Sequence, residues 1–390
     1  MGWLVYRLTG SVLLLGVIGF AGQVPVLMFA PFGGLWSDRF RRQRLLILTQ
    51  SLAMLQALIL AALTLTHLVQ VWHLVAMAIT LGLINAVDAP ARQSFVVQLV
   101  TTRDDLPNAI ALNSFAINSA RLLGPTVAGI LVSLFSEGIC FLLNGVSYLG
   151  VIWALASMKI VDIPRTRHSM MEGLKEGFAY AFGFPPIRAL LLLMATVSFT
   201  ATPYIVLMPV YAKQVFHGDA QTLGLLMGAS GAGALAATFY LASRETVVGL
   251  GKVITVATLC TGGGLMAFAF SNQLWLALPA LAVVGFGIIA AAASSNTVIQ
   301  TLVQERYRGR TMALFTMSFL GMAPLGSLAA GSLAHRIGTP ETLFLGGAAS
   351  AIAAIVFARQ LPALREHVRP IYLKMGLLTE DPDDQDGDKE

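Results

Sequence analysis

Long apolar runs separated by short polar links recur along this chain. There are eleven, at 11–36, 45–68, 72–97, 108–135 and 138–158, then at 188–212, 223–242, 252–270, 274–303, 311–335 and 342–358. A helix needs about 20 apolar residues to cross a hydrocarbon core of about 30 Å, and each run is of that order. The runs are continuous, whereas barrel strands alternate apolar and polar at every second residue, so the pattern predicts helices. Composition closes the other route: hydrophobic residues make up 56% and charged residues 12%, against roughly a quarter charged in soluble domains. The chain reads as an all-α, polytopic membrane protein.

Charge orients the predicted spans. Short cytoplasmic links are enriched in Lys and Arg. If the link after the first run is cytoplasmic, Arg39, Arg41, Arg42, Arg44, Arg103, Arg244, Lys252, Arg306, Arg308 and Arg310 all fall at the inner face, and Arg7, Lys213 and Arg336 fall outside. The C-terminus is then cytoplasmic. The net charge of +5 needs no nucleic-acid partner, because inner-face arginines account for it.

An internal repeat sets the domain plan. At an offset of 202 residues Gly124, Ala128, Gly129, Leu131, Leu143 and Gly145 match Gly326, Ala330, Gly331, Leu333, Leu345 and Gly347 without a gap. Near the start the offset is 205, and Val5-Tyr6 matches Val210-Tyr211. Residues 2–10 are therefore expected to be the end of a first helix whose beginning, at least 17 residues, would lie before Met1. The expected plan is an N-terminal bundle at 1–158 (a stub plus five spans), a cytoplasmic linker at 159–187 with a helical stretch at 170–182, a C-terminal six-helix bundle at 188–358, and a cytoplasmic acidic tail at 359–390.

Cofactor chemistry is not visible. Cys140 and Cys260 sit in separate apolar runs with no disulfide or zinc spacing. Gly249-Leu-Gly-Lys252 has Val253 where a phosphate cradle requires a hydroxyl. Neither a metal nor a bound nucleotide is expected.

The most specific local signal is the turn between the first two full spans, Gly33-Gly34-Leu-Trp-Ser-Asp38-Arg39-Phe-Arg41-Arg42-Gln-Arg44. It resembles the Gly-x-x-x-Asp-Arg-x-x-Arg-Arg signature of the major facilitator superfamily through Gly34, Asp38, Arg39 and Arg42, with Arg41 where many members have Gly and Gln43 where many have a base. A second stretch, Gly124-Pro125-Thr-Val-Ala-Gly129, is similar to the gating element on the fifth helix of drug/proton antiporters in that superfamily. With Asp88-Ala-Pro90-Ala-Arg92 and Arg308-Gly309-Arg310, these stretches resemble the branch of the enterobactin exporter and macrolide-efflux transporters, the transmembrane secretion effector type. The resemblance implies two six-helix bundles, the first helix being largely missing here. It also implies a midplane cavity, a conformational switch at Asp38 with Arg308 or Arg310 as partner, a bacterial cytoplasmic membrane location, a monomer and proton coupling. The arginine that many members carry in the upper fourth helix has no equivalent in 72–87.

Ionisable residues at membrane depth are rare and default to functional candidates. Asp88 and Arg92 lie on the fourth expected helix and Arg121 on the fifth. Asp88 is expected to pair with Arg121 or Arg92, either to hold helices together, to carry protons, or to meet the cargo. Asn113 and Asn118 are softer cavity candidates. The expected function is secondary active export of an amphipathic small molecule. A lipid or lysophospholipid flippase is the alternative, and a membrane-embedded enzyme or receptor a remote one. No nucleophile, acid pair or metal cluster at membrane depth points to an enzyme.

Overall fold

In the computed structural model residues 1–39, 41–99, 106–158, 170–244, 246–304 and 307–375 are described, with side chains at all of these except 30–39, 93, 94, 96–98, 106–111, 113–115, 117, 118, 121, 122, 170–175, 177, 309 and 374. The first half of the chain contains α1 (Gly2–Thr9), α2 (Val12–Arg39), α3 (Arg42–Leu65), α4 (Val71–Gln98), α5 (Leu106–Leu134) and α6 (Glu137–Ser157). Next comes α7 (Met170–Gly183). The second half contains α8 (Pro185–Thr200), α9 (Tyr204–Val210), α10 (Ala220–Ala242), α11 (Leu250–Ala269), α12 (Leu274–Leu302), α13 (Arg308–Leu320), α14 (Met322–Ile337) and α15 (Thr339–Lys374).

Among the described residues the secondary structure is helical throughout, as a chain solvated by lipid requires, since each backbone group finds its partner within its own segment. Among the described residues ten helical stretches are long and apolar enough to cross a membrane, and α5 adds a shorter apolar stretch at Leu123–Leu134. Local chemistry sets several ends. Gly10, at φ +61°, terminates α1, and Asp219 caps α10 by accepting from the backbone N–H groups of Gln221 and Thr222.

Three expected spans differ in detail. The run at 188–212 is two helices, α8 and α9, parted before Pro203 and continued by a π-helical turn, Tyr211–Val215. The run at 311–335 divides at Gly321 into α13 and α14. The tail expected to begin at 359 begins later, because α15 stays helical to Lys374 despite Pro362 and Pro370. Each proline removes one backbone hydrogen bond. Leu364, Val368 and Tyr372 recur every fourth residue and pack on the core of the second half, which offsets that loss.

The halves repeat one packing scheme: α2 lies along α4 as α10 lies along α12, and α3 along α6 as α11 along α15. Lipid tails are as apolar as leucine, so these seams rest on close backbone approach and interhelical hydrogen bonds rather than on the hydrophobic effect. The α11–α15 seam is an instance, with a Cβ on Gly262 lying 2.6 Å from the Gly347 carbonyl oxygen.

Between the halves, α2 runs along α14 and α5 along α10. At these crossings Gly16 faces Gly331 and Gly129 faces Gly224, backbone against backbone. Both lie toward one end of the molecule, where α1 and α5 finish and α10 starts. Arg41, Arg42, Arg44, Arg188, Arg244, Lys252, Arg308 and Arg310 occupy the other end.

Candidate functional site

A cavity of about 440 Å³ lies between the halves, bounded by α1, α2, α5, α9 and α10. Ile18, Ala128, Val206, Pro209 and Met227 give it a mainly apolar wall, and Gly124, Pro125 and Gly129 complete that wall on α5. The gating element expected from sequence is thus part of the cavity wall. Pro125 leaves one carbonyl of the preceding turn without its helical donor. Beside it the Thr126 hydroxyl donates across to the Gly224 carbonyl oxygen of α10 at 3.3 Å. A Cβ on Gly224 would stand 2.8 Å from the Pro125 carbonyl, so neither helix accommodates a larger residue at this crossing.

Asp88 lies on α4, on the side of the cavity toward the arginine-rich end, and is 1% exposed. Its Oδ1 accepts hydrogen bonds from Thr49 Oγ1 and Gln50 Nε2 of α3, each at 2.7 Å. Its Oδ2 is paired with the Arg92 guanidinium one turn along α4. Arg92 is 57% exposed at its side chain, so the pair joins a buried carboxylate to an open guanidinium. The pairing with Arg92 is one of the two arrangements expected from sequence. The other, with Arg121, lies outside the described side chains, as do Asn113 and Asn118.

Thr49 and Gln50 were not singled out from sequence. The signal that marks them is two adjacent polar residues inside the apolar run at 45–68. At the repeat offset of 205, Asp88 corresponds to Ala293 and Arg92 to Thr297, so the second half lacks this charge pair. Nearby on α12, Ser294 and Ser295 are buried. Among the described residues their hydroxyls have no hydrogen-bond partner.

In the second half hydroxyls tie the broken α8–α9 segment to its neighbours. Ser198 donates to the Phe319 carbonyl of α13, Thr200 bonds Ser350 of α15 at 2.8 Å, and the Tyr204 hydroxyl bonds Ser230 of α10. These contacts are interhelical fastenings of the kind that lipid surroundings favour.

At the arginine-rich end, Gly34, Asp38 and Arg39 of the signature turn lie outside the described side chains. Arg42 opens α3, and Arg308 and Arg310 open α13. The Arg310 Nη1 meets Glu176 Oε2 of α7 at 2.6 Å. Four residues on, Tyr180 of α7 stacks on Tyr307 with ring centroids 4.3 Å apart, and its hydroxyl accepts from the Gln304 backbone N–H at 3.3 Å. The connecting helix is therefore docked on the second half at the start of α13.

Those contacts differ in expected worth. Glu176 and Arg310 are 52% and 35% exposed, and an ion pair so solvated contributes under about 1 kcal/mol. Glu176→Gln is expected to leave thermal unfolding in detergent almost unchanged. Tyr180→Ala removes a stacked ring and is expected to lower stability by about 1–3 kcal/mol. A larger loss for Glu176→Gln than for Tyr180→Ala would reverse this ranking.

A family described as transmembrane secretion effector matches residues 1–376. The staphyloferrin A transporter of Staphylococcus aureus is 25% identical over 92% of this chain and 90% of its own length. The multidrug efflux pump Tap of Mycolicibacterium fortuitum is 24% identical over 93% and 91%. Macrolide efflux protein A of Streptococcus pyogenes is 21% identical over 94% and 90%. Among solved structures, the nucleoside transporter NupG superposes with a TM-score of 0.71 at 11% identity, covering 92% of this chain and 93% of that one. A mutant of the peptide transporter POT does so with 0.72 at 13% identity, covering 90% and 86%.

Proposed function

Since the chain belongs to the transmembrane secretion effector family of the major facilitator superfamily, we propose that it is a proton-driven exporter of amphipathic small molecules, of the drug, macrolide or siderophore class. The observation that carries this reading is the mainly apolar cavity between the halves. A sugar phosphate or a multiply charged ion would find little polar compensation there, whereas an apolar body with a few polar groups would bury most of its surface. Three relatives whose names state staphyloferrin A, macrolides or multidrug efflux support the same class of cargo.

The arginine-rich end is assigned to the cytoplasm by the positive-inside rule. The halves then touch toward the outer end, at Gly16–Gly331 and Gly129–Gly224, which corresponds to an arrangement closed to the outside. Rocking of one half against the other exchanges this for an outward-open arrangement. Asp88 is the proposed proton carrier. The Asp88 carboxylate holds Arg92, so a proton taken up there would release that guanidinium. The signature turn, with Asp38 and the start of α13, is proposed to bias which arrangement prevails. The protein is read as a monomer in a bacterial cytoplasmic membrane.

Flux into inverted vesicles under an imposed proton gradient, with a panel of macrolides, siderophores and cationic dyes, tests this. The wild type is expected to concentrate at least one compound only when the lumen is acidic, and Asp88→Asn is expected to lose that dependence. Uptake indifferent to the gradient in the wild type would reject the coupling. Movement of labelled phospholipid with none of the panel compounds would replace export by lipid translocation.

A further inference from the structure

We propose that a groove at the arginine-rich end, between α7, α12 and the extension of α15, is the docking site of the chain's own C-terminal segment, residues 376–390. The groove has a volume of about 510 Å³. Phe184, Leu302, Val303, Ile371 and Met375 make it mainly apolar, and Tyr180 stands at its edge.

Three observations select this occupant. Met375 already lines the groove and is the last described residue of the chain, so the C-terminal segment starts at the site itself. The next apolar residues, Leu377 and Leu378, lie two and three positions on, a reach of about 7–11 Å of extended chain. They suit an apolar groove. Then comes a run carrying Glu380, Asp381, Asp383, Asp384, Asp386 and Asp388. Two exposed arginines stand within a turn of the groove's surroundings: Arg188, one turn along α8 from Phe184, and Arg308, next to the Tyr307 ring that stacks on Tyr180. Leucines anchored in the groove would set the acidic run over those guanidinium groups. A separate peptide would have to find this site from solution, whereas a tether of two residues holds the segment there at millimolar effective concentration.

The docked segment covers Thr301 and Gln304, both part of the groove lining. The test replaces Cys140 and Cys260 by serine, introduces Thr301→Cys, and monitors maleimide labelling of the full chain in lipid nanodiscs. Labelling is expected to be at least about tenfold slower with the natural tail than with Leu377→Asp plus Leu378→Asp, as a tethered occupant at millimolar effective concentration implies. Replacing Glu380, Asp381, Asp383 and Asp384 by their amides, or raising the salt to about 1 M to screen them, is expected to speed labelling partway. A second probe, Asn272→Cys at the opposite end, must label alike in every variant and so reports that each is folded. Equal rates at Thr301→Cys with both tails would overturn the proposal. Slow labelling with both tails that becomes fast only on transfer to detergent would also overturn it, and would assign the groove to a phospholipid.

Discussion

Gly331→Leu is expected to hold the two halves apart at the end where α1 and α5 finish and to reduce transport by an order of magnitude or more. A Cβ on Gly331 would lie 2.7 Å from Gly16 Cα and 3.0 Å from Gly16 N, and a Cβ on Gly16 would lie 2.7 Å from the Ser327 carbonyl oxygen. All of these obstructing atoms are backbone, with no flexible side-chain end to give way. Overpacking of this kind costs about 1–3 kcal/mol. The cost falls only on the arrangement in which α2 and α14 touch, so it shifts the balance between two arrangements about 5- to 150-fold toward the one open at that end. Labelling of Val12→Cys by a membrane-impermeant maleimide measures the shift directly, because Val12 belongs to the same crossing. Thermal stability is expected to change little, since each half keeps its own seams. Unaltered Val12→Cys labelling in the Gly331→Leu background would show that the crossing is not a gate.

Asp88→Ala is expected to be among the most destabilising single changes in the first half. The substitution strips the acceptor from Thr49 and Gln50, both buried, at 4% and 8% exposure. The buried Gln50 amide left unsatisfied costs about 1–3 kcal/mol, whereas the Thr49 hydroxyl keeps the Leu46 carbonyl at 3.0 Å as an acceptor. Arg92 adds less, because its exposed guanidinium is rehydrated when the partner is lost. The combined effect is about 1–4 kcal/mol, and Asp88→Asn, which keeps one carbonyl acceptor, should cost less than half of it. Removing the donors together with the acceptor, as Thr49→Val, Gln50→Leu and Asp88→Leu, is expected to recover most of the loss, since apolar replacement of every buried partner leaves only the exposed Arg92 to water. Unfolding of the four proteins in the same detergent gives the comparison. An Asp88→Ala protein within about 0.5 kcal/mol of wild type would show that the network carries no structural weight.

The candidate site was partly legible. Asp88 and Arg92 stood out because a charge at membrane depth is conspicuous against a run of apolar residues, and their spacing of four puts them on one helix face. Thr49 and Gln50 did not stand out, because hydroxyl and amide side chains serve many membrane helices as ordinary fastenings. Their role depends on α3 lying against α4 in one register, which is a property of the assembled helices and of no local pattern. Gly124, Pro125 and Gly129 were read as a gating element, while their place in a cavity wall opposite α9 and α10 required both halves to be assembled.

Length and continuity of the apolar runs sufficed to specify an all-helical membrane chain, because hydrocarbon admits so few ways to satisfy a backbone. The repeat between Gly124–Gly129 and Gly326–Gly331 likewise foretold the kinship of the two halves, since close-packed seams demand small residues at matching places. The breaks at Ala201–Pro203 and Gly321, and the continuation of α15 to Lys374, were decided by tertiary packing. Hydroxyl contacts to neighbouring helices hold the interrupted segment, and the core of the second half holds the extension. Which ends of α2, α5, α10 and α14 touch was decided there too, because the pattern of apolar residues along each helix is the same whichever end meets its partner.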